Sequence, residues 1–573
     1  MKKDTDVLII GSGFGASVAA LRFAEAGKSV TVLERGGYIT REKFEADDDM
    51  LWQPDNGRYG MNDFQKRGTH VIPWLGAGVG GGSHVYAGTL KRREFFDDFP
   101  SDVSVAEMTP FYELAEDMMQ AVKYPDHPPY DQLPAYRIFR EAEKEMEEQY
   151  PDQVEEHGDI LLGISYAPNE ALAGKVFTNK YGAQQRYSDP DEQKILGGDI
   201  EVKNTLDKNY LHLATERGAV IKEFAQVVKI EPLPEGGYRV FWKDPRQDSQ
   251  AGGQMTTETL VCGAGSIGST ELLLQNKYQH RTLPDLSDQL GKRYFTNGDY
   301  IMFLLPRKGL LASWIGLFAA IAGWIAGWGW LALVGVIAYF FGWYRSDPKA
   351  APDQGSTNSD YIRFRHRDGS PQGMYIEGGR YPTPVKALLA IGLSLAGEYR
   401  PHTYGHISNS VNFLGKYVPV FELIERSWPI PMLMMGRDDA VGQFHLNEEN
   451  EAEIEFPIEN NDQYVDFLTK WGKIFSKKAD SYFLPNFVAK AFRIVEIPHN
   501  MGGCSMGENA KSGVVDSYGR VFGYDNFLIL DGSIMPCSLG PNPALTILAF
   551  AERSMRQVIS QPEKAEDGIA DRP

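Results

Sequence analysis

DVLIIGSGFGASVAALRFAEAGKSVTVLERG, residues 6–36, decides how the chain is read. Asp6 to Ile10 is a short aliphatic run, as expected of a parallel strand buried on both faces. It feeds Gly11-Ser12-Gly13-Phe14-Gly15-Ala16, and residues 16–27 have helical spacing with Gly27 as the stop. A second strand then ends at Glu34. Strand, glycine turn, helix and strand in this order form a dinucleotide-binding unit. Gly11 permits the tight turn and Gly13 lets the backbone approach a pyrophosphate. Phe14 and Gly15 open the helix whose N-terminal amides face the phosphate charge. Glu34 stands where a ribose diol would donate to it, with Arg35 beside it, which favours FAD or NAD over NADP. The motif does not separate those two.

The rest of the chain sets bounds. Its 573 residues exceed a single core, so two large or interleaved domains are expected. A net charge of −19 and a pI near 5.1 argue against nucleic acid as a partner. Cys262, Cys504 and Cys537 are too few for a disulfide framework and suit a reducing compartment. No His/Cys cluster has metal-ligand spacing, so no metal is expected. MKKDTDVLII lacks the apolar region of an export signal, and residues 561–573 read as a flexible tail. A second glycine run, GAGVGGGSHVYAG at 76–88, strips side chains at Gly78, Gly80, Gly81 and Gly82, with Ser83 following. A flat ring or pyrophosphate could lie against such backbone, although a flexible loop has the same composition.

GSGFGA with Glu34, the GVGGGS loop, HNMGGCSMG (499–507) and YGRVFGYDNFLILDGSIMPCSLGPNPALTILAFAERSM (518–555) together resemble the glucose–methanol–choline (GMC) oxidoreductases. The wording HNMGGCSMG and GPNPALTI is nearest the cholesterol-oxidase-like branch. NTLDKNYLHLATERGAVI (204–221) and LVCGAGSIGSTELLLQ (260–275) fit the same family. The resemblance implies an α/β fold with non-covalent FAD. A Rossmann-like FAD-binding domain with a parallel sheet would be assembled from 1–100, 200–300 and 499–560. An antiparallel-sheet substrate domain would be built from 101–199 and 345–498. It implies that Val227 and Gly265 contact the nucleotide and that Asp531 and Gly532 sit near the ribityl and pyrophosphate. Pro543 would open a helix aimed at the flavin.

It also implies the chemistry. Alcohol oxidation moves a hydride from carbon to flavin N5 and a proton from the hydroxyl to a base. His499 and Asn542 match the family's His/Asn pair, the histidine as proton partner and the amide as a hold on the alkoxide. A third carboxylate is expected near LIERSW (423–428), where Glu425 lies but Arg426 takes the matching register, so its role stays open. His84 follows GGGS, yet Val85 matches the position of covalent attachment, which leaves FAD unattached.

Residues 310–344 contain no charged side chain. FAD-domain segments lie on both sides, so one crossing of a membrane would separate halves that must meet. Two crossings need about 20 residues each, more than this stretch holds. What fits is an apolar helical hairpin over 309–344, broken at AGWGW (326–330) and dipping into membrane lipid, with Arg307, Lys308, Arg345 and Lys349 at its base. A buried hairpin or a subunit interface is the alternative. The expected activity is FAD-dependent oxidation of a lipophilic alcohol: a sterol, hopanoid, terpenoid or long-chain alcohol taken from the membrane. The expected setting is cytoplasmic, monotopic on the inner face of the cell membrane, with oxygen or a quinone as acceptor. A flavin lyase or light-driven decarboxylase for a lipid acid is the other reading, with Arg426 and Arg437 as a carboxylate clamp.

Overall fold

The computed structural model describes residues 2–40 and 51–306, apart from 66, 132–133, 190–200 and 248–251. It further describes scattered positions between 316 and 337, then 358–371, 373–378, 430–486, 489 and 493–560. Glu425, Arg426 and most of 310–344 lie outside the described residues.

Two sheets organise a mixed α/β fold. In the first, Thr5–Ile10 runs parallel to Val30–Leu33 on one side and to Gly252–Cys262 on the other. Val220–Lys222 extends it in parallel beyond Val30–Leu33, and Phe527–Ile529 pairs in parallel with Leu260–Cys262. Gln226–Pro232 and Tyr238–Lys243 complete it as an antiparallel meander on the first half of Gly252–Cys262. Val7, Leu8 and Ile9 are fully buried, on a strand paired on both sides with helix Phe14–Glu25 packed against it, which fits its unbroken aliphatic sequence. Helix Phe14–Glu25 packs along helix Ala544–Ser560. Arg22 fixes that contact with two hydrogen bonds to Glu552, of 2.7 and 2.8 Å, while Tyr210 donates to the same carboxylate at 2.8 Å.

The second sheet is antiparallel throughout, in the order Ser481–Leu484, Tyr300–Pro306, Ile430–Gly436, Met374–Gly378, Asp360–Phe364, Val154–Asp159. Strand alternation divides its side chains between two faces. One rank across it reads Ile301, Leu433, Glu377, Tyr361. On the opposite face Phe364 stacks on Trp471 of helix Asp462–Lys478, with ring centroids 4.8 Å apart. The two sheets therefore draw on segments that alternate along the sequence.

Within the apolar stretch, residues 330–331 and 333–337 are helical. Trp330, Leu333 and Ile337 are 68, 61 and 59% exposed, an unusual amount of bare apolar surface on one short segment. No helix among the described residues is long and apolar enough to cross a membrane.

Candidate active site

A cavity of about 870 Å³ runs from the first glycine turn to His499 and Asn542. At one end Gly13 caps the helix Phe14–Glu25 with extended backbone, no side-chain cap and no acid in the first turn. Its N-terminal amides are thus free to meet an anion. The glycines divide by purpose. A Cβ on Gly15 would collide with the Leu530 carbonyl, and one on Gly81 would lie 2.8 Å from the Gly13 Cα, so both are small because chain packs on chain. A Cβ on Gly13 would find nothing nearer than the Gly263 oxygen at 3.9 Å. Packing does not demand glycine there, whereas a closely approaching pyrophosphate does.

Gly11, Gly13, Phe14, Glu34 and Arg35 line the cavity. So do Gly81 and Gly82 of the second glycine run, together with Val227 and Gly265. Gly15, Gly78, Gly80 and Ser83 stand behind this wall. Ser83 faces inward to the protein: its hydroxyl donates to the Gly80 carbonyl at 2.7 Å and accepts from Leu206 N–H at 3.1 Å. Glu34 binds the two glycine loops together. Its Oε2 accepts from the Ser12 hydroxyl at 2.6 Å and its Oε1 from the Gly36 amide at 2.9 Å, while the Gly80 amide donates to Ser12 Oγ at 3.0 Å. A carboxylate has about four lone-pair sites, so capacity for a ribose hydroxyl remains. Arg35 pairs with Asp63 at 2.8 Å and lies over the Trp52 ring, an aromatic wall at the nucleotide end. The His84 ring is buried, with Nε2 2.6 Å from the Val79 carbonyl, and does not line the cavity.

Asp531 and Gly532 line the middle. Asp531 accepts from the Gly265 amide (2.9 Å), the Ser269 hydroxyl (2.5 Å) and the Ser533 amide (2.8 Å), so it joins three segments that surround the pyrophosphate end. Burial still pushes its pKa upward against those donors. Beyond it, Asn542 and Pro543 lead into helix Ala544–Ser560, which has no acid in its first turn.

At the far end His499 Nδ1 is 2.9 Å from Asp299 Oδ1, and the His499 backbone amide donates to Asp299 Oδ2 at 3.2 Å. Both oxygens of a fully buried carboxylate thus accept from one residue, which leaves Nε2 as the open nitrogen of a side chain that lines the cavity. Burial alone would depress the imidazole's pKa, but Asp299, and Glu377 after it, raise it overall. Glu377 is the unforeseen member. It is fully buried, its Oε2 accepts from Asn358 Nδ2 at 2.6 Å and from Asn542 Nδ2 at 3.3 Å, and burial pushes its pKa up to about 8. Glu377 Oε1 and Asn542 Oδ1 have no hydrogen-bond partner among the described residues. In this orientation the orphan Asn542 oxygen would accept a hydroxyl proton. With the proton on Glu377, a half-turn of the amide would present NH2 to an alkoxide instead.

Neither Asp299 nor Glu377 is singled out by sequence motif. Asp299 ends a Thr-Asn-Gly-Asp run that reads as an ordinary turn. Glu377 is the one acid in the buried strand MYIEG, and an inward-facing acid in such a strand was the available signal. The walls here are apolar: Ile301, Pro431 and Leu433 of the second sheet line the same space. Arg437 takes no part, being turned to Asp98 at 3.8 Å and to the Phe95 ring.

Comparison with known proteins now gives this geometry a family. Residues 462–551 match the GMC oxidoreductase model and residues 6–43 the FAD binding domain model. Cholesterol oxidase of Acinetobacter baumannii is 26% identical, across 97% of this chain and 94% of its own. Cholesterol oxidase of Mycobacterium tuberculosis is 28% identical, across 97% and 91%. The chain thus carries a GMC oxidoreductase C-terminal region and an FAD-binding region, and it is similar to GMC-type flavin oxidoreductases along most of its length. Among solved structures, pyridoxine 4-oxidase from Mesorbium loti shares the fold, with a TM-score of 0.57 at 15% identity over 97% of this chain and 100% of that one. FAD is the cofactor of this chain, and the free helix amides, the open approach at Gly13 and the cavity's reach to His499 fit it.

Proposed function

We propose that this chain oxidises the hydroxyl of a lipophilic alcohol (a sterol, hopanoid, terpenoid or long-chain alcohol), with His499 taking the hydroxyl proton and Asn542 holding the oxygen. Bound FAD supplies the two-electron acceptor for the carbinol hydrogen. The observation that carries the reading is the convergence of His499, Asn542 and the apolar residues Ile301, Pro431 and Leu433 on one cavity. Asp299 keeps Nδ1 occupied, so Nε2 is the atom that accepts the proton. Asn542, braced by Glu377, orients the substrate oxygen beside it. The apolar wall excludes water and accommodates a hydrocarbon skeleton in place of a sugar ring.

Substrate delivery from lipid is part of the proposal. The exposed Trp328, Trp330, Leu333, Val334 and Ile337 support a segment that dips into one leaflet, and the proposed setting is that of a monotopic enzyme on the cytoplasmic face of the cell membrane. Oxygen or a membrane quinone then reoxidises the cofactor. Anaerobic bleaching of the bound flavin, screened across sterols, terpenols, fatty alcohols and polar sugars, tests the substrate class. Bleaching by lipid alcohols is the expected result, and bleaching only by polar alcohols overturns it. Peroxide yield compared with quinone-analogue reduction distinguishes the acceptors.

A further inference from the structure

We propose that the turn Thr296-Asn297-Gly298-Asp299 is the positioning element of the site, a single turn that sets His499 through Asp299 and Asn542 through Asn297. The inference rests on the reading of His499 as proton acceptor and asks what holds the pair in register. The two residues come from loops 43 positions apart in sequence, and neither loop is itself regular structure.

The turn makes specific bonds to both. Asn297 is fully buried, and its side chain embraces the loop before Asn542: Nδ2 donates to the Gly540 and Pro541 carbonyls at 3.3 and 3.2 Å, while Oδ1 accepts from the Gly540 amide at 2.9 Å. Two residues on, Asp299 accepts from the amide and the ring of His499. A carboxylate that holds both the backbone and the imidazole of one residue fixes the ring's two torsions together. The turn is itself immobilised. Asn297 and Gly298 both adopt left-handed backbone, at φ +55° and +61°. The Asn297 carbonyl accepts from the Gly436 amide at 2.9 Å, and Tyr464 donates to the Gly298 carbonyl at 3.0 Å. Thr296 donates at 2.8 Å to Asp438, which also accepts from Ser538 at 2.5 Å in the Asn542 loop. Glycine adopts that conformation freely, and at Asn297 it persists because the surroundings over-determine it.

The charges around His499 give the proposal a measurable sign. Asp299 faces the ring from the turn and Glu377 from strand Met374–Gly378, while the half-buried Glu496 lies three residues before it on strand Val495–Ile497. A base must be unprotonated to accept the hydroxyl proton, so the rate of cofactor reduction rises with pH through the pKa of His499. Asp299 holds that pKa up against burial. Without its charge the rising limb moves to lower pH. An amide at 299 can also donate to Nδ1 and place the ring proton on Nε2, which removes the acceptor.

The test uses the FAD-loaded full chain. Asp299→Asn is expected to move the rising limb to lower pH and to cut the plateau rate of anaerobic flavin reduction by about 10²-fold or more. Nitrogen-15 NMR of labelled histidine, with His499 assigned by its loss in His499→Ala, is expected to show the matching fall in pKa in the FAD-free and loaded protein alike. Asn297→Ala is expected to lower kcat at least tenfold while leaving the rising limb where it was, because only the Asn542 loop is released. Should Asp299→Asn fail to fold, Asp299→Glu carries the test, with the limb kept at the parent's pH. An unmoved limb and an unmoved His499 resonance in Asp299→Asn, or parent kcat in Asn297→Ala, overturn the proposal. Alcohol-dependent reduction surviving in His499→Ala sinks instead the proton-acceptor reading on which it rests.

Discussion

Glu377 accepts a hydrogen bond of 3.3 Å from Asn542, so a fully buried carboxyl touches one of the two proposed catalytic side chains. Burial pushes its pKa up to about 8 from an ordinary value of 4.5. The folded state therefore binds more protons than the unfolded state between those two limits. The stabilisation is complete below the unfolded value and is lost as pH rises through the folded one, at about 1.4 kcal/mol per pH unit at most. The urea midpoint is expected to decline between pH 5 and pH 8, and Glu377→Gln to flatten that decline. Equal slopes in the two proteins would show that Glu377 is not the titrating group.

His499→Ala and Asn542→Ala should each lose about 10²–10⁴-fold in the rate at which an alcohol reduces the flavin. The visible absorbance of bound FAD should persist, since neither side chain holds the nucleotide end of the cavity. Stopped-flow spectroscopy without oxygen measures both quantities in one experiment.

Two glycines of the same turn are expected to fail differently. Gly13→Ala has room in the protein, with 3.9 Å to its nearest neighbour, and should fold but lose FAD. Gly15→Ala meets the Leu530 carbonyl and should instead unfold at lower urea. Flavin content against circular dichroism separates the cases. A Gly13→Ala protein with full flavin would remove the pyrophosphate from that turn.

Arg93 is fully buried and donates to the carbonyls of Phe95, Ser538 and Leu539, the last two in the loop that leads to Asn542. Arg93→Met would leave three carbonyls without donors, at about 3–5 kcal/mol in all. A urea titration measures the loss, and a change below about 1 kcal/mol would mean the loop holds itself.

Deleting residues 310–344 should abolish flotation with lipid vesicles while bound FAD remains. Vesicle binding that survives the deletion would place the membrane contact elsewhere.

What the sequence disclosed follows the range of the interactions involved. The dinucleotide unit is local, because Gly11, Gly13, Glu34 and the helix between them lie within 30 residues, and strand and helix periodicities identify it without help. His499 and Asn542 were legible from the wording of their loops. Their supports were not. Asp299 lies 200 residues before the ring it holds, and Glu377 lies 165 residues before the amide it braces. Each looks ordinary in its own segment and acquires a role only when the second sheet is folded. The sequence points to Glu425 for a third carboxylate, which lies outside the described residues, whereas Glu377 is a carboxylate that the second sheet brings to Asn542. The triple glycine serves two ends that composition does not separate: Gly81 and Gly82 line the cavity, and Gly81 is also small so that one glycine loop can pack on the other.

Leu530 packs against Gly15, and its strand closes the sheet around a turn made more than 500 residues earlier. The piece of chain that recognises the nucleotide is therefore synthesised some 500 residues before the segment that forms its floor. Capture of the cofactor must follow synthesis of Leu530, and a product stalled before it would present an adhesive, half-built nucleotide fold with nothing to fill it.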